Sequence, residues 1–178
     1  MKTNTTVISI DPGFDRVGWA VGRISGNNYT LVAAGCLETN KKTAIFDRYG
    51  EILQGLEEIL SQHTPLEAAI ETLYFSKNRK TAIRVSEARG LIIGALMKHQ
   101  LSIFEYHPGE VKLAVTGYGN ADKPAIAKMV RLQTNLNHDK LIDDAIDAIA
   151  VGMTHAITAG MRQATEQTKA TLNKARSS

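Results

Sequence analysis

The spacing of apolar positions changes period several times along the chain, and each change predicts an element. Residues 6–11, 16–23 and about 29–39 (YTLVAAGCLET) are short runs rich in Val, Ile, Trp and small residues, and they read as three strands. Gly26-Asn27-Asn28 supplies hairpin chemistry between the second and the third. The period then lengthens. Ile45, Tyr49, Ile52, Leu56, Ile59 and Leu60 recur at helical spacing, and Pro65 closes that helix. LEAAIE (66–71) predicts a short buried strand, and a second helical pattern over roughly 80–99 carries Ile83, Leu91, Ile92, Ala95 and Leu96. SIFEYH (102–107) is the fifth strand. A short helix near 109–115, a Gly-containing loop over 116–122, a helix over about 123–134 and a last helix over about 141–159 complete the pattern. Asp122 is placed to cap the penultimate helix, with Pro124 in its first turn. Three opening strands suit an antiparallel meander, and the later strand–helix–strand crossovers add parallel strands to the same sheet. The expected fold is α/β, a mixed five-stranded sheet flanked by helices.

The chain of 178 residues suits one domain, drawn here over 1–160, with a polar basic tail over 161–178 expected to be frayed or disordered. No apolar run approaches 18 residues, and MKTNTT leads into the first strand without a signal-peptide stretch. Cys36 has no second cysteine to pair with and lies in the apolar context AAGCL, which points to a buried thiol and a reducing, cytoplasmic compartment. A net charge of +3 is compatible with a nucleic-acid partner without demanding one.

Three acidic features stand where such a fold would bring them together. Asp11 ends the first strand, ahead of Pro12-Gly13, and Glu71 ends the fourth, after Ala68-Ala69-Ile70. The last helix carries Asp143, Asp144 and Asp147 at spacings of three and four, on one face beside a stripe of Ile142, Ile146, Ile149 and Met153. Each alone has an ordinary reading: a turn aspartate, a solvated strand-end glutamate, a helix start that favours acids. Gathered together, the carboxylates repel and raise one another's pKa unless a cation joins them. Oxygen donors with no thiolate and few imidazoles favour Mg²⁺ or Mn²⁺ over zinc. Two such ions about 4 Å apart would clamp the attacking and leaving oxygens of phosphodiester cleavage.

The segments IDPGFDRVGWAV, IETLYFSKNRKTAIRVSEARG, EYHPGEVKLAVTGYGNADKPAIAKMV and DDAIDAIAVGMTH follow one another over roughly residues 6–156. In content and order they resemble the RuvC family of Holliday-junction resolvases, which has the ribonuclease H-like fold. The resemblance implies a structure-selective endonuclease that resolves four-way DNA junctions in recombination and repair. Its cuts would be paired, symmetric and divalent-metal-dependent, leaving 5′-phosphate and 3′-hydroxyl ends. The resemblance implies Asp11, Glu71, Asp144 and Asp147 as catalytic metal ligands, with two Mg²⁺ per site and Mn²⁺ as a substitute. Asp143 is the alternative to Asp144 in that slot.

Lys112 and Lys123 match basic residues near the family's scissile phosphate, where an ammonium stabilises developing charge; without the resemblance they read as solvated surface lysines. Tyr74 is in register with an aromatic that wedges into the junction, and Phe75 is its neighbour. Either would stack on an unpaired base or anchor the loop on the core. Lys77, Arg79, Lys80 and Arg84 follow as candidate backbone contacts. A homodimer is also implied, with a candidate interface on the small-residue helix at 88–97, and so are the RuvA and RuvB branch-migration proteins as partners. Trp19 and Cys36 read as core, His155 as a packed or surface histidine, and His107 as the histidine to test for closeness to the site.

Three other readings share parts of this pattern. A ribonuclease H-like nuclease acting on RNA or RNA–DNA hybrids would use every acid. An actin-like ATP-binding domain also opens on a strand–turn–strand Asp-x-Gly, but leaves Glu71 and DDAID unused and needs a second domain. A junction-binding protein without nuclease activity would not need every acidic position filled.

Overall fold

The computed structural model describes residues 4–73, 79–134 and 141–176. Strands β1 (Thr5–Asp11), β2 (Arg16–Ser25) and β3 (Asn28–Glu38) form an antiparallel meander. Strands β4 (Glu67–Glu71) and β5 (Ser102–Tyr106) extend it in parallel, giving the order β3-β2-β1-β4-β5. The helices are α1 (Ile45–His63), α2 (Arg79–Lys98), α3 (Pro108–Thr116), α4 (Lys123–Thr134) and α5 (Asp143–Arg176). The mixed sheet expected from the sequence is the one observed. The β2–β3 hairpin closes on the Ser25–Asn28 pair with Gly26 at φ 63°, a conformation glycine adopts without a Cβ penalty.

Both faces of the sheet are covered, which is why β1 and β4 read as nearly continuous apolar runs. Side chains alternate along each strand. Ile8, Ile10, Ala68 and Ile70 face α1 and α2, together with Ile52, Leu56, Ile92 and Leu96. Val7 and Ala69 face the other layer, with Ile146, Ile149 and Met153 of α5 and Val111, Ile126 and Val130 of α3 and α4. Ser9 and Asp11 share this second face by the same alternation. Ser9 is fully buried and donates its hydroxyl hydrogen to the Ala20 carbonyl at 3.2 Å.

Helix α5 lies across β1, β2 and β3, and its position fixes where its acids stand. A Cβ at Gly18 would run into the carbonyl oxygen of Asp144, so glycine is what lets the first turn of α5 rest on β2. Further along, His155 is fully buried between the Tyr106 hydroxyl and the Glu67 carboxylate, each 2.7 Å away, and stacks against Phe104. These contacts tie α5 to β4 and β5.

Several expectations need correction. The last helix does not stop near 159 but continues to Arg176. After Gly160 the chain is built largely of strong helix formers without Gly or Pro, so backbone hydrogen bonds propagate through the polar tail without an apolar stripe to pack. Ile142 precedes α5 and is 39 % exposed, and Ile83 on the outer face of α2 is 58 % exposed, so neither joins the core. Trp19 and Cys36 are half-buried: Trp19 packs at the margin of the core under α1 and α2, and Cys36 lies on the edge strand β3.

Replacing Gly18 with alanine is expected to cost about 1–3 kcal/mol by overpacking the β2–α5 contact. Urea denaturation checks this, with Gly117→Ala as a comparison at a site where a Cβ meets nothing but the φ of 77° is unfavourable.

Candidate active site

Ile10 pairs with Ile70 across parallel strands β1 and β4, so the next residues, Asp11 and Glu71, leave the sheet side by side at its carboxyl end. That edge is where open α/β sheets place their ligands. Helix α5 begins there and brings Asp147 to the same pocket. The pocket, about 350 Å³, is lined by Asp11, Glu71, Asp147, Lys112 and Lys123, with Pro108, Val111, Ile126 and Ala150 as apolar walls.

The two lysines arrive on helices whose starts are pinned by local sequence. Helix α3 opens with Pro108 at its first position and a capping box in which the His107 N–H donates to Glu110 at 2.7 Å. Thr72 Oγ1 lies 2.7 Å from His107 Nδ1, and the Thr72 N–H donates to the Tyr106 carbonyl at 2.9 Å, so the end of β4 is stitched to the start of α3. Helix α4 is capped as expected: the Ala125 N–H donates to Asp122 Oδ1 at 2.9 Å. Lys123 then donates to Asp147 Oδ2 at 2.9 Å.

The carboxyls are held against their own repulsion. Burial, then the negative charges of Asp147 and Asp144, push Asp11 up to about 6. Burial, then Asp11 and Asp147, push Glu71 up to about 8. The two carboxyls stand close enough that each shifts the other, and the pair as a whole holds a proton above the ordinary carboxyl range. The hydrogen bond to Asp147 raises the Lys123 ammonium above its ordinary value. Among the described residues no three Asp, Glu, His or Cys side chains stand at the spacing of a closed metal shell. Asp147 is engaged with Lys123, and Glu71 with Asp11.

The family model described as crossover junction endodeoxyribonuclease RuvC matches residues 7–155. The chain belongs to the RuvC family. RuvC of Brachyspira hyodysenteriae is 44 % identical over 149 residues, covering 84 % of this chain and 92 % of that protein. RuvC of Thermotoga maritima is 37 % identical over 161 residues, covering 90 % and 96 %. The structure of Thermus thermophilus RuvC in complex with a Holliday junction substrate superposes with a TM-score of 0.82 at 28 % identity, covering 88 % of this chain and 96 % of that one. RuvC has the ribonuclease H-like fold, so that expectation also holds for this chain.

Of the residues expected from the RuvC resemblance, Asp11, Glu71, Asp147, Lys112 and Lys123 share one pocket. Asp144 lies on its rim, close enough to raise Asp11, and Asp143 is exposed. Arg84 is half-buried on α2 and bonded to Glu87 at 2.9 Å. Tyr74, Phe75 and Lys77 lie outside the described residues, as do the side chains of Arg79 and Lys80. His107 does stand beside the site, bound to Thr72. Two residues that the RuvC pattern did not single out also touch it. Arg89 donates from Nε to the Glu71 carbonyl at 3.3 Å and pairs with Glu105. Arg16 stands between Glu38 at 3.2 Å and Asp144 at 3.7 Å.

A carboxyl with a raised folded pKa keeps its proton while the unfolded chain releases it, so stability falls as pH rises through the window between the two values. For Asp11 and Glu71 that window runs from their ordinary values of 3.8 and 4.5 up to about 6 and about 8. Burial lowers the His155 pKa, which gives the opposite slope below its ordinary range, and this is common to wild type and variant. The metal-free double variant Asp11→Asn/Glu71→Gln is therefore expected to gain stability over wild type progressively from pH 5 to pH 8. Each pKa unit relieved is worth ~1.4 kcal/mol, and each kcal/mol moves Tm by about 2–4 °C in a chain of this size. Calorimetric melts in EDTA at the two pH values measure it.

Proposed function

We propose that this chain is a structure-selective endonuclease that resolves four-way DNA junctions by divalent-metal-dependent hydrolysis, leaving 5′-phosphate and 3′-hydroxyl ends. The observation that carries this reading is a carboxylate pair at adjacent strand ends facing Asp147, Lys112 and Lys123, in a chain of the RuvC family. The donor set fits a hard cation: every candidate ligand is a carboxylate, and the neighbouring imidazole of His107 is committed to Thr72. Asp11, Glu71, Asp144 and Asp147 would hold two Mg²⁺ ions, or Mn²⁺ in their place. The Asp144 influence on Asp11 and the exposure of Asp143 support Asp144 in that set. When bound, such ions activate the attacking water and stabilise the leaving 3′ oxygen.

The chain's own part is to exchange partners. Asp11 and Glu71 would turn to the cation as the proton held by the pair passes to solvent, and Lys123 would move from Asp147 to a phosphate oxygen. Lys112 faces the same pocket and stabilises charge that develops on the phosphoryl group. Pro108, Val111, Ile126 and Ala150 keep water back from one wall, which strengthens each of these interactions.

A four-way junction has two-fold symmetry, which a C₂ homodimer would match with two sites. Support for such a dimer comes from α2. Its inner face packs Ala88, Ile92 and Leu96 on the sheet, while Ile83, Gly90, Gly94 and Met97 fall on an exposed stripe. Tyr74 or Phe75 would wedge into the junction centre, with Lys77, Arg79, Lys80 and Arg84 on its backbone. RuvA and RuvB as partners and a cytoplasmic site of action complete the reading; among the described residues no helix is long and apolar enough to cross a membrane.

In the decisive assay a labelled four-way junction with a mobile centre is incubated in Mg²⁺ beside matched duplex and RNA–DNA hybrid. Paired symmetric nicks on the junction alone are expected, lost in Asp11→Asn while junction binding survives. Cutting of the hybrid instead would turn the reading to an RNA-directed nuclease. Lys112→Ala is expected to slow nicking about 10²–10³-fold with little change in junction affinity. Gly90→Arg, at an open position on the α2 stripe, is expected to yield monomers in sedimentation equilibrium.

A further inference from the structure

Asp144 stands between the carboxylate pocket and a second cleft of about 700 Å³, which lies between the β1–β2 turn and the start of α2. Its walls include Gly13, Phe14, Arg16, Lys41 and Arg84. We propose that this cleft carries the phosphodiester backbone of the DNA strand as it continues past the scissile phosphate, with Lys41 and Arg16 as phosphate contacts. The proposal rests on the nuclease reading above and assigns that site a second stretch of its substrate.

Charge supports it. Asp15 lies between two cations, Arg48 at 2.5 Å and Lys41 at 2.9 Å. Arg48 is buried, donates to Thr39 Oγ1 at 2.9 Å and stacks over the Phe14 ring at 3.9 Å, so it cannot leave. It neutralises Asp15 unaided and, with Lys41, holds that carboxyl below its ordinary range. The Asp15–Arg48–Lys41 group therefore carries one positive charge in excess, on a lysine whose side chain is 73 % exposed. Arg16 is 54 % exposed and shared between two carboxylates. Such exposed pairs are worth only ~0–1 kcal/mol, so a phosphate can take the guanidinium from them.

Geometry supports it as well. The turn that follows Asp11 is locked: the Thr39 N–H donates to the Asp15 carbonyl at 3.0 Å and its hydroxyl to the Phe14 carbonyl at 3.0 Å. The backbone that carries Arg16 is thus held relative to Asp11, while the exposed side chains of Arg16 and Lys41 are left able to reach a phosphate. Arg84 faces them across the cleft from α2.

The test is binding of a fluorescent four-way DNA junction in EDTA across about 50–200 mM salt, for wild type, Lys41→Gln, Arg16→Gln and Lys42→Gln. Each lost phosphate contact lowers the slope of log Kd against log salt by about 0.9, so affinity falls about 3-fold less over a fourfold rise in salt. That is expected for Lys41→Gln and Arg16→Gln and not for Lys42→Gln, whose exposed side chain lies outside the cleft lining. Slopes parallel to wild type in both cleft variants overturn the proposal, as does an equal drop in Lys42→Gln. Lys41→Gln leaves Asp15 paired with Arg48 and decides the matter alone should Arg16→Gln fail to fold. Wild-type nicking in Mg²⁺ separates the two readings. Nicking with unchanged slopes discards only the cleft, and a wild type that neither binds nor nicks the junction discards both.

Discussion

Mutual repulsion among carboxylates is the constraint around which the open end of this sheet is organised. Two like charges about 4 Å apart at an effective dielectric of 20 repel by ~4 kcal/mol. Left to themselves, Asp11, Glu71, Asp144 and Asp147 would separate. They are kept together by packing elsewhere: Ile146, Ile149, Met153 and Ala156 seat α5 on the sheet, and each large apolar side chain so buried is worth ~1.5–3 kcal/mol. His155, wedged between Glu67 and Tyr106, adds a polar lock about two to three turns from the acids. Lys123 relieves the repulsion only in part, since Asp11 and Glu71 remain raised with it in place.

The same end of the sheet is braced from both sides. Beyond Asp11, a buried arginine, a threonine and an aromatic ring hold the turn rigid. Beyond Glu71, Thr72, His107 and Arg89 fix the backbone where β4 ends. The acids therefore stand on strand and helix termini whose backbone cannot relax away from the strain, which leaves side-chain exchange as the available response when substrate and cation arrive.

Much of this was legible in the chain. Period-two and period-3.6 runs gave all ten elements because nearly every strand and helix here buries at least one face. Asp11, Glu71 and the DDAID acids were visible because each stands next to a buried run whose end is marked by a turn or a helix start. Arg16 was not. Counted from the Ser25–Asn28 pair, an unbroken hairpin sets Arg16 opposite Leu37; the register shift between Val21 and Gly22 brings it to Glu38 and so to the rim of the site. A bulge of one residue leaves no signal in composition. Arg48 was hidden for another reason: a charged residue on a helix reads as solvent-facing, and only tertiary packing reveals a guanidinium buried on Phe14. The extension of α5 to Arg176 went unread because hydrophobic periodicity detects helices that pack, while this one is carried onward by propensity.

The alternation that puts Val7, Ser9 and Asp11 on one face of β1 has a consequence for how such a chain can change. Ile8 and Ile10 tolerate exchange for other apolar residues of similar volume, since the opposite layer asks only for shape. A single inserted or deleted residue anywhere between Val7 and Asp11 is a different event. It rotates the carboxylate into the layer occupied by Ile52 and Ile92 and sends a neighbour, Ile10 after an insertion or Pro12 after a deletion, to its former place. Lineages descending from this sequence can drift widely in the letters of β1 while its length stays frozen, and gaps in the family should accumulate in the connections between strands rather than in the strand that carries Asp11.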